Sequence, residues 1–234
     1  MKIFSYLILM SSILILFVCI TDIKAEDKSA ELTHTQAIAS FQAKDYSNLL
    51  GMPGFSDTLL NNHFKLYQGY VKNSNTMLTE LDTMLDENKE KTSAYAELER
   101  RLSWEINGML LHEYYFENLG GKQSININSA VYKKIIDEFI SFERWQKDFI
   151  STGMIRGIGW VVLYWEPKTG RLLNTWIDEH NTGNIAGSTP LLVMDVFEHS
   201  FITDYQLDRA KYIDAFFKNI NWKVVEERFS KLSK

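Results

Sequence analysis

The stretch "PLLVMDVFEHSF", Pro190 to Phe201, decides the fold. Leu191 to Met194 reads as a buried run, and it leads straight into Asp195, Glu198 and His199. A lone buried charge is costly, so such groups are normally paired or bound to a metal. "TPLLVMDVF" has the composition of a strand. Asp195 then stands at a strand end, and His199 follows four residues later. Side chains four apart share a helical face, and here the strand end supplies the first of the two. By itself a DxxxH spacing is a weak signal.

Upstream, "GIGWVVLYWEPKTGRLLNTWID" is rich in β-branched and aromatic residues around a Pro-Lys-Thr-Gly turn. It reads as a hairpin pairing Gly157–Trp165 with Arg171–Ile177. Before it, apolar residues recur at helical spacing. Gly51, Pro53 and Gly54 mark a turn, and Ser56 or Asp57 can cap a helix from about Thr58 that carries "LLNNHFKLYQGYVKNSN". Met77 to Leu119 reads as one long helix or two with a break, stopped by Gly120 and Gly121. A third helix is expected over about Asn128 to Thr152, and helical segments close the chain. The layout is α+β: an N-terminal helical hairpin, residues 49–121, followed by a domain over 122–234 with a three-stranded antiparallel sheet and helices.

The chain has 234 residues and a formal net charge of −5. Lys2 precedes the almost wholly apolar "YLILMSSILILFVCI", and Ala25 offers a small residue at a cleavage point. Residues 1–25 therefore read as a secretory signal rather than a spanning helix, with a retained anchor as the alternative. An exported protein, periplasmic or secreted, is expected, with no membrane association after cleavage. Residues 26–48 read as a polar extension. Removing Lys2, Lys24 and Asp22 with the signal takes the charge from −5 to −6. No basic patch stands out, which argues against nucleic acid as a partner. Cys19 is the only cysteine, so the mature chain can form no internal disulfide and no thiolate site.

Any metal must therefore use His, Asp or Glu. His34 lies in the polar extension, whereas His63, His112, His180 and His199 lie among apolar and aromatic residues. Taken singly, His63 and His112 are as compatible with packed core histidines as with ligands. Imidazole suits iron among other metals and carboxylate suits manganese, so several histidines with one buried aspartate and no cysteine fit iron or manganese best.

The chain resembles the iron/manganese superoxide dismutases. "DVFEHSF" is similar to that family's D-x-W-E-H-A-Y signature. "GIGWVVLYW", "EFISFERWQKDF", "NINWKVVEERF" and "HFKLYQGYVKNSN" resemble its other motifs, in order, over roughly Asp45 to Phe229. The resemblance implies that His63, His112, Asp195 and His199 hold one iron or manganese ion per chain. It makes Tyr70 the tyrosine at the substrate gateway and Trp160 a wall of the metal pocket. Glu198 would reach across a homodimer interface to the partner's His199. Arg209 would stand at the mouth of the path taken by the superoxide anion. The residue that hydrogen-bonds the metal's water is a glutamine in most of the family. One place for it is Gly108, which has no side chain, so His180 from the other place is expected to serve.

The chain also departs from the family. His63 and Tyr70 are seven apart, one fewer than expected. The usual histidine between them is missing, and Tyr67 is expected to take over its bond to the gateway tyrosine. A shifted alignment would put Asn62 at the ligand position, but Asn is the poorer ligand. Phe197 and Ile202 replace a tryptophan and a tyrosine. Two further readings stay open: a non-catalytic relative that keeps the fold as a binding module, and an unrelated Asp/His metal hydrolase. The latter needs a general base, and only Glu198 is near in sequence.

Overall fold

The computed structural model describes residues 40–232. The expected signal and residues 26–39 lie outside the described residues. The expected hairpin is present as α1, Asp57–Asp86, and α2, Ser93–Glu117. Its break falls later than the sequence suggests. α1 runs on through Asn75 and Met77, and the turn comes at Glu87 to Thr92, where Asn88 adopts φ 58°. Ser56 and Thr92 cap the two helices by accepting the N–H groups of Leu59 and Tyr95, which their first turns would otherwise leave unpaired.

The expected third helix is two: α3, Ala130–Phe139, and α4, Phe142–Gly153. Ile140 takes φ 73° between them, and the Ser141 hydroxyl caps α4 by accepting the Arg144 N–H. A serine cap outcompetes helix continuation here. The strands follow as β1, Gly159–Glu166, β2, Arg171–Asp178, and β3, Thr189–Asp195, in the antiparallel order β2-β1-β3. A short α5, Ile202–Tyr205, then α6, Arg209–Lys218, and α7, Trp222–Ser230, complete the chain. Among the described residues no helix is long and apolar enough to cross a membrane.

Part of the expected polar extension is packed rather than free. Phe41 exchanges backbone bonds with the Asn75 amide at 2.8 and 2.9 Å, and the Lys44 N–H donates to the Tyr67 hydroxyl at 3.0 Å. Residues 40–46 thus lie along α1.

The hairpin and the sheet meet at Asn118, directly after α2. Its buried amide accepts the Val193 N–H at 2.9 Å and donates to the Val193 carbonyl at 3.1 Å. It behaves as a piece of strand laid on the outer edge of β3. The Asn118 carbonyl also accepts the Asn221 N–H at 2.9 Å, which draws in α7. This clamp sets α2, which carries His112, against β3, which ends on Asp195. Asn118→Ala leaves two buried backbone groups of Val193 unpaired, each costing about 1–3 kcal/mol. We expect a stability loss of about 3 kcal/mol in chemical denaturation. A loss below about 1 kcal/mol would show that the clamp is dispensable.

Candidate metal centre

Four side chains from four segments converge: His63 of α1, His112 of α2, Asp195 at the end of β3, and His199 in the turn Glu198–Ser200. One ligand atom from each lies within 4.8 Å of all the others. The Asp195 Oδ2 sits 3.1 Å from His63 Nε2, 3.0 Å from His199 Nε2 and 3.7 Å from His112 Nε2. His63, His112 and Asp195 are buried, and His199 is partly exposed. Asn62, the alternative ligand, faces solvent.

The seven-residue spacing from His63 to Tyr70 is explained by α1 itself. α1 is uninterrupted, and seven residues make close to two turns of an ideal α-helix, so both side chains share one face.

The donor set fits a metal ion. His112 Nδ1–H donates to the Gly108 carbonyl at 2.5 Å, which leaves the Nε2 lone pair free. That Nε2 is buried, has no hydrogen-bond partner among the described residues, and faces the Asp195 carboxylate. Burial raises the Asp195 pKa, but the imidazoles of His199 and His63 outweigh it and hold the group well below the usual carboxylate range. Burial pushes His63 and His112 down, so both favour the neutral form that binds metals. Asp195 is held on its other sides too. Its Oδ1 accepts the Phe197 N–H at 2.8 Å, and its backbone carbonyl accepts the Tyr212 hydroxyl at 2.6 Å.

His180 stands beside this cluster, as expected. The Trp160 indole N–H donates to His180 Nδ1 at 2.9 Å. Indole nitrogen can only donate, so the neutral imidazole carries its proton on Nε2, 2.8 Å from the Tyr70 hydroxyl. Burial pushes the His180 pKa down to about 4. Burial likewise raises that of Tyr70, so its phenol stays protonated across neutral pH. Gly108 leaves room for Tyr70, because a Cβ built there would sit 2.8 Å from the tyrosine ring.

Three expected residues stand apart from the buried cluster. Tyr67 does not take over the missing histidine's bond. Its hydroxyl donates to Glu113 at 2.9 Å and accepts the Lys44 N–H, while the Tyr70 hydroxyl bonds His180 instead. Glu198 is exposed, and its carboxylate makes no hydrogen bond among the described residues. The Arg209 guanidinium donates to the carbonyls of Ile155 at 2.8 Å and Gly157 at 2.9 Å, so it anchors the loop before β1.

The sequence reading missed Trp104. Its ring lies 4.4 Å from that of His180 and 5.5 Å from that of Tyr70, centroid to centroid. An aromatic two turns before His112 carried no signal, because its partners lie far away in the chain.

Comparison with known proteins agrees with this geometry. Residues 127–228 match the family model described as iron/manganese superoxide dismutases, C-terminal domain. A protein of Cupriavidus metallidurans named superoxide dismutase [Fe] is 37% identical over 182 residues, covering 76% of this chain and 90% of that one. One of Aquifex aeolicus with the same name is 34% identical, covering 84% and 94%. One of Haloferax volcanii named superoxide dismutase [Mn] 2 is 30% identical, covering 73% and 84%. The chain belongs to the iron/manganese superoxide dismutase family, and it is an oxidoreductase of that kind.

Two outcomes follow from the geometry. Gly108→Ala forces the Tyr70 ring aside, an overpacking cost of about 1–3 kcal/mol that the better helix propensity of alanine offsets only in part. Superoxide turnover per bound metal should fall while metal content stays near parental. Unchanged turnover would show that the Tyr70 position is immaterial. The second concerns acid stability without metal. The folded pKa of His180 lies below the ordinary imidazole value of 6.5, so between pH 6.5 and about 4 the unfolded chain binds more protons. This contribution, on the order of 3 kcal/mol, is present above pH 6.5 and lost as pH falls toward 4. Urea midpoints of the metal-free chain should drop over that window, and less so for His180→Gln.

Proposed function

We propose that this chain is an exported superoxide dismutase, acting as a homodimer with one iron or manganese ion per chain. The observation that carries the reading is the buried cluster of three imidazoles and one carboxylate beneath the Tyr70–His180 pair. His63, His112, Asp195 and His199 would hold the ion. Bound there, it would supply the redox chemistry, taking an electron from one superoxide and giving one to another, so that dioxygen leaves and two protons complete hydrogen peroxide.

The protein's own residues hold, orient and protect. The His112 Nδ1–H bond to Gly108 directs Nε2 inward. Trp160 and Phe197 form an apolar wall and limit water. With its Nε2–H toward the Tyr70 oxygen, His180 leaves the phenol proton free to donate to a substrate oxygen at the mouth. Glu198, exposed beside His199, suits a bond to the His199 of a second copy, which would steady that ligand from outside. Since the protein is acidic, attraction of the anion must be local. Arg209 would act by its charge, because its N–H groups already serve loop carbonyls. Export rests on the charged and apolar pattern of residues 1–25.

The test uses residues 26–234 loaded separately with manganese and with iron, scored for superoxide loss at matched occupancy. Activity with one or both metals is expected, and His112→Ala should lose the metal and at least a hundredfold in rate. Absence of activity in both forms, with one metal bound per chain, would overturn the enzyme reading and favour a non-catalytic binding module.

A further inference from the structure

His180 must meet two partners at once, the Trp160 N–H on Nδ1 and the Tyr70 hydroxyl on Nε2. A small turn of the peptide before it would break one or both. That peptide follows Glu179, which adopts φ 49°. The left-handed region is unfavourable for a residue with a β-carbon and persists only where surrounding contacts hold it. Two contacts do so. The Glu179 N–H donates to the Ile158 carbonyl at 3.0 Å, and its Oε2 accepts the Trp104 indole N–H at 2.7 Å.

Trp104 is itself braced. The Arg101 guanidinium carbon lies 3.7 Å from its ring centroid. Arg101 pairs with the buried Glu105 at 2.7 Å, and Glu105 accepts the Asn73 amide of α1 at 3.3 Å. The same indole therefore contacts His180 and Tyr70 by its ring and holds the preceding residue by its N–H. An indole has a single N–H and no acceptor, so the bond to Glu179 takes up its one polar group.

We propose that Trp104 is a positioning residue for the reaction: its N–H bond to Glu179 latches the backbone before His180, and thereby sets the His180–Tyr70 hydrogen bond. The inference rests on the reading of that pair as the hydrogen-bonding group beside the metal. Outer partners of a metal site tune the ion's potential as well as its reactivity. The latch therefore has a readout apart from turnover.

The experiment compares Trp104→Phe, Glu179→Ala and Glu179→Gln with the parent, all metal-loaded. Phe keeps the ring and removes the N–H, Ala removes the acceptor, and Gln keeps one. The readouts are the reduction equilibrium of the bound metal and superoxide turnover per metal ion. Trp104→Phe and Glu179→Ala should each shift the reduction equilibrium about tenfold and lower turnover at least fivefold, with metal content unchanged. Glu179→Gln should stay within twofold of the parent in both. The proposal is overturned if Trp104→Phe and Glu179→Ala leave the equilibrium within twofold, or if Glu179→Gln shifts as far as Glu179→Ala. A parent without turnover would sink the enzyme reading, while the reduction equilibrium would still decide whether the latch holds His180.

Discussion

The buried carboxylate of Asp195 is the constraint on which the rest depends. A charge removed from water must be met by partners, and removing one partner from such a buried set typically costs about 3–5 kcal/mol. Here the imidazoles of His63 and His199 and a backbone N–H meet it, while the Tyr212 hydroxyl holds its main-chain carbonyl. The partners come from α1 and the turn after β3, so the carboxylate is satisfied only when helical hairpin and sheet are docked. Site and fold are thus one problem for this chain. An ion in the centre would add binding free energy to the docked state alone.

Local choices in the sequence serve that docking. An unbroken α1 makes seven residues suffice between His63 and Tyr70. Gly108 removes a side chain where Tyr70 needs space, and its carbonyl directs His112. Asn118 ends α2 and grips β3 within the same side chain. The carbonyl groups that Arg209 caps tie the loop before β1 to α6, which bears Tyr212.

Much of this was legible before the structure. The hydrophobic run into Asp195 marked both a strand and a site, and the hairpin showed in its turn and its β-branched residues. The four side chains that converge were reachable through the family resemblance, since each lay in a motif or an apolar context. What escaped reading depended on tertiary contact. Nothing local predicts that Ile140, β-branched, takes a left-handed conformation to let Ser141 start a new helix. Tyr67 looked like a substitute for a lost histidine, yet Lys44 and Glu113 claim its hydroxyl. Trp104 and Glu179 are far apart in sequence, and pair only because α2 lies beside the end of β2. Periodicity reports which face is buried, not which buried groups meet.

β3 is the outer strand of a sheet of three, and such an edge ordinarily presents free N–H and carbonyl groups to any passing chain. Here Asn118 occupies Val193 on both counts, and Arg228 donates to the Leu191 carbonyl at 2.9 Å. The apolar run Leu191–Met194 therefore offers a passing chain fewer free backbone groups along this edge. The amide that docks the hairpin onto the sheet also closes part of that sheet's open edge.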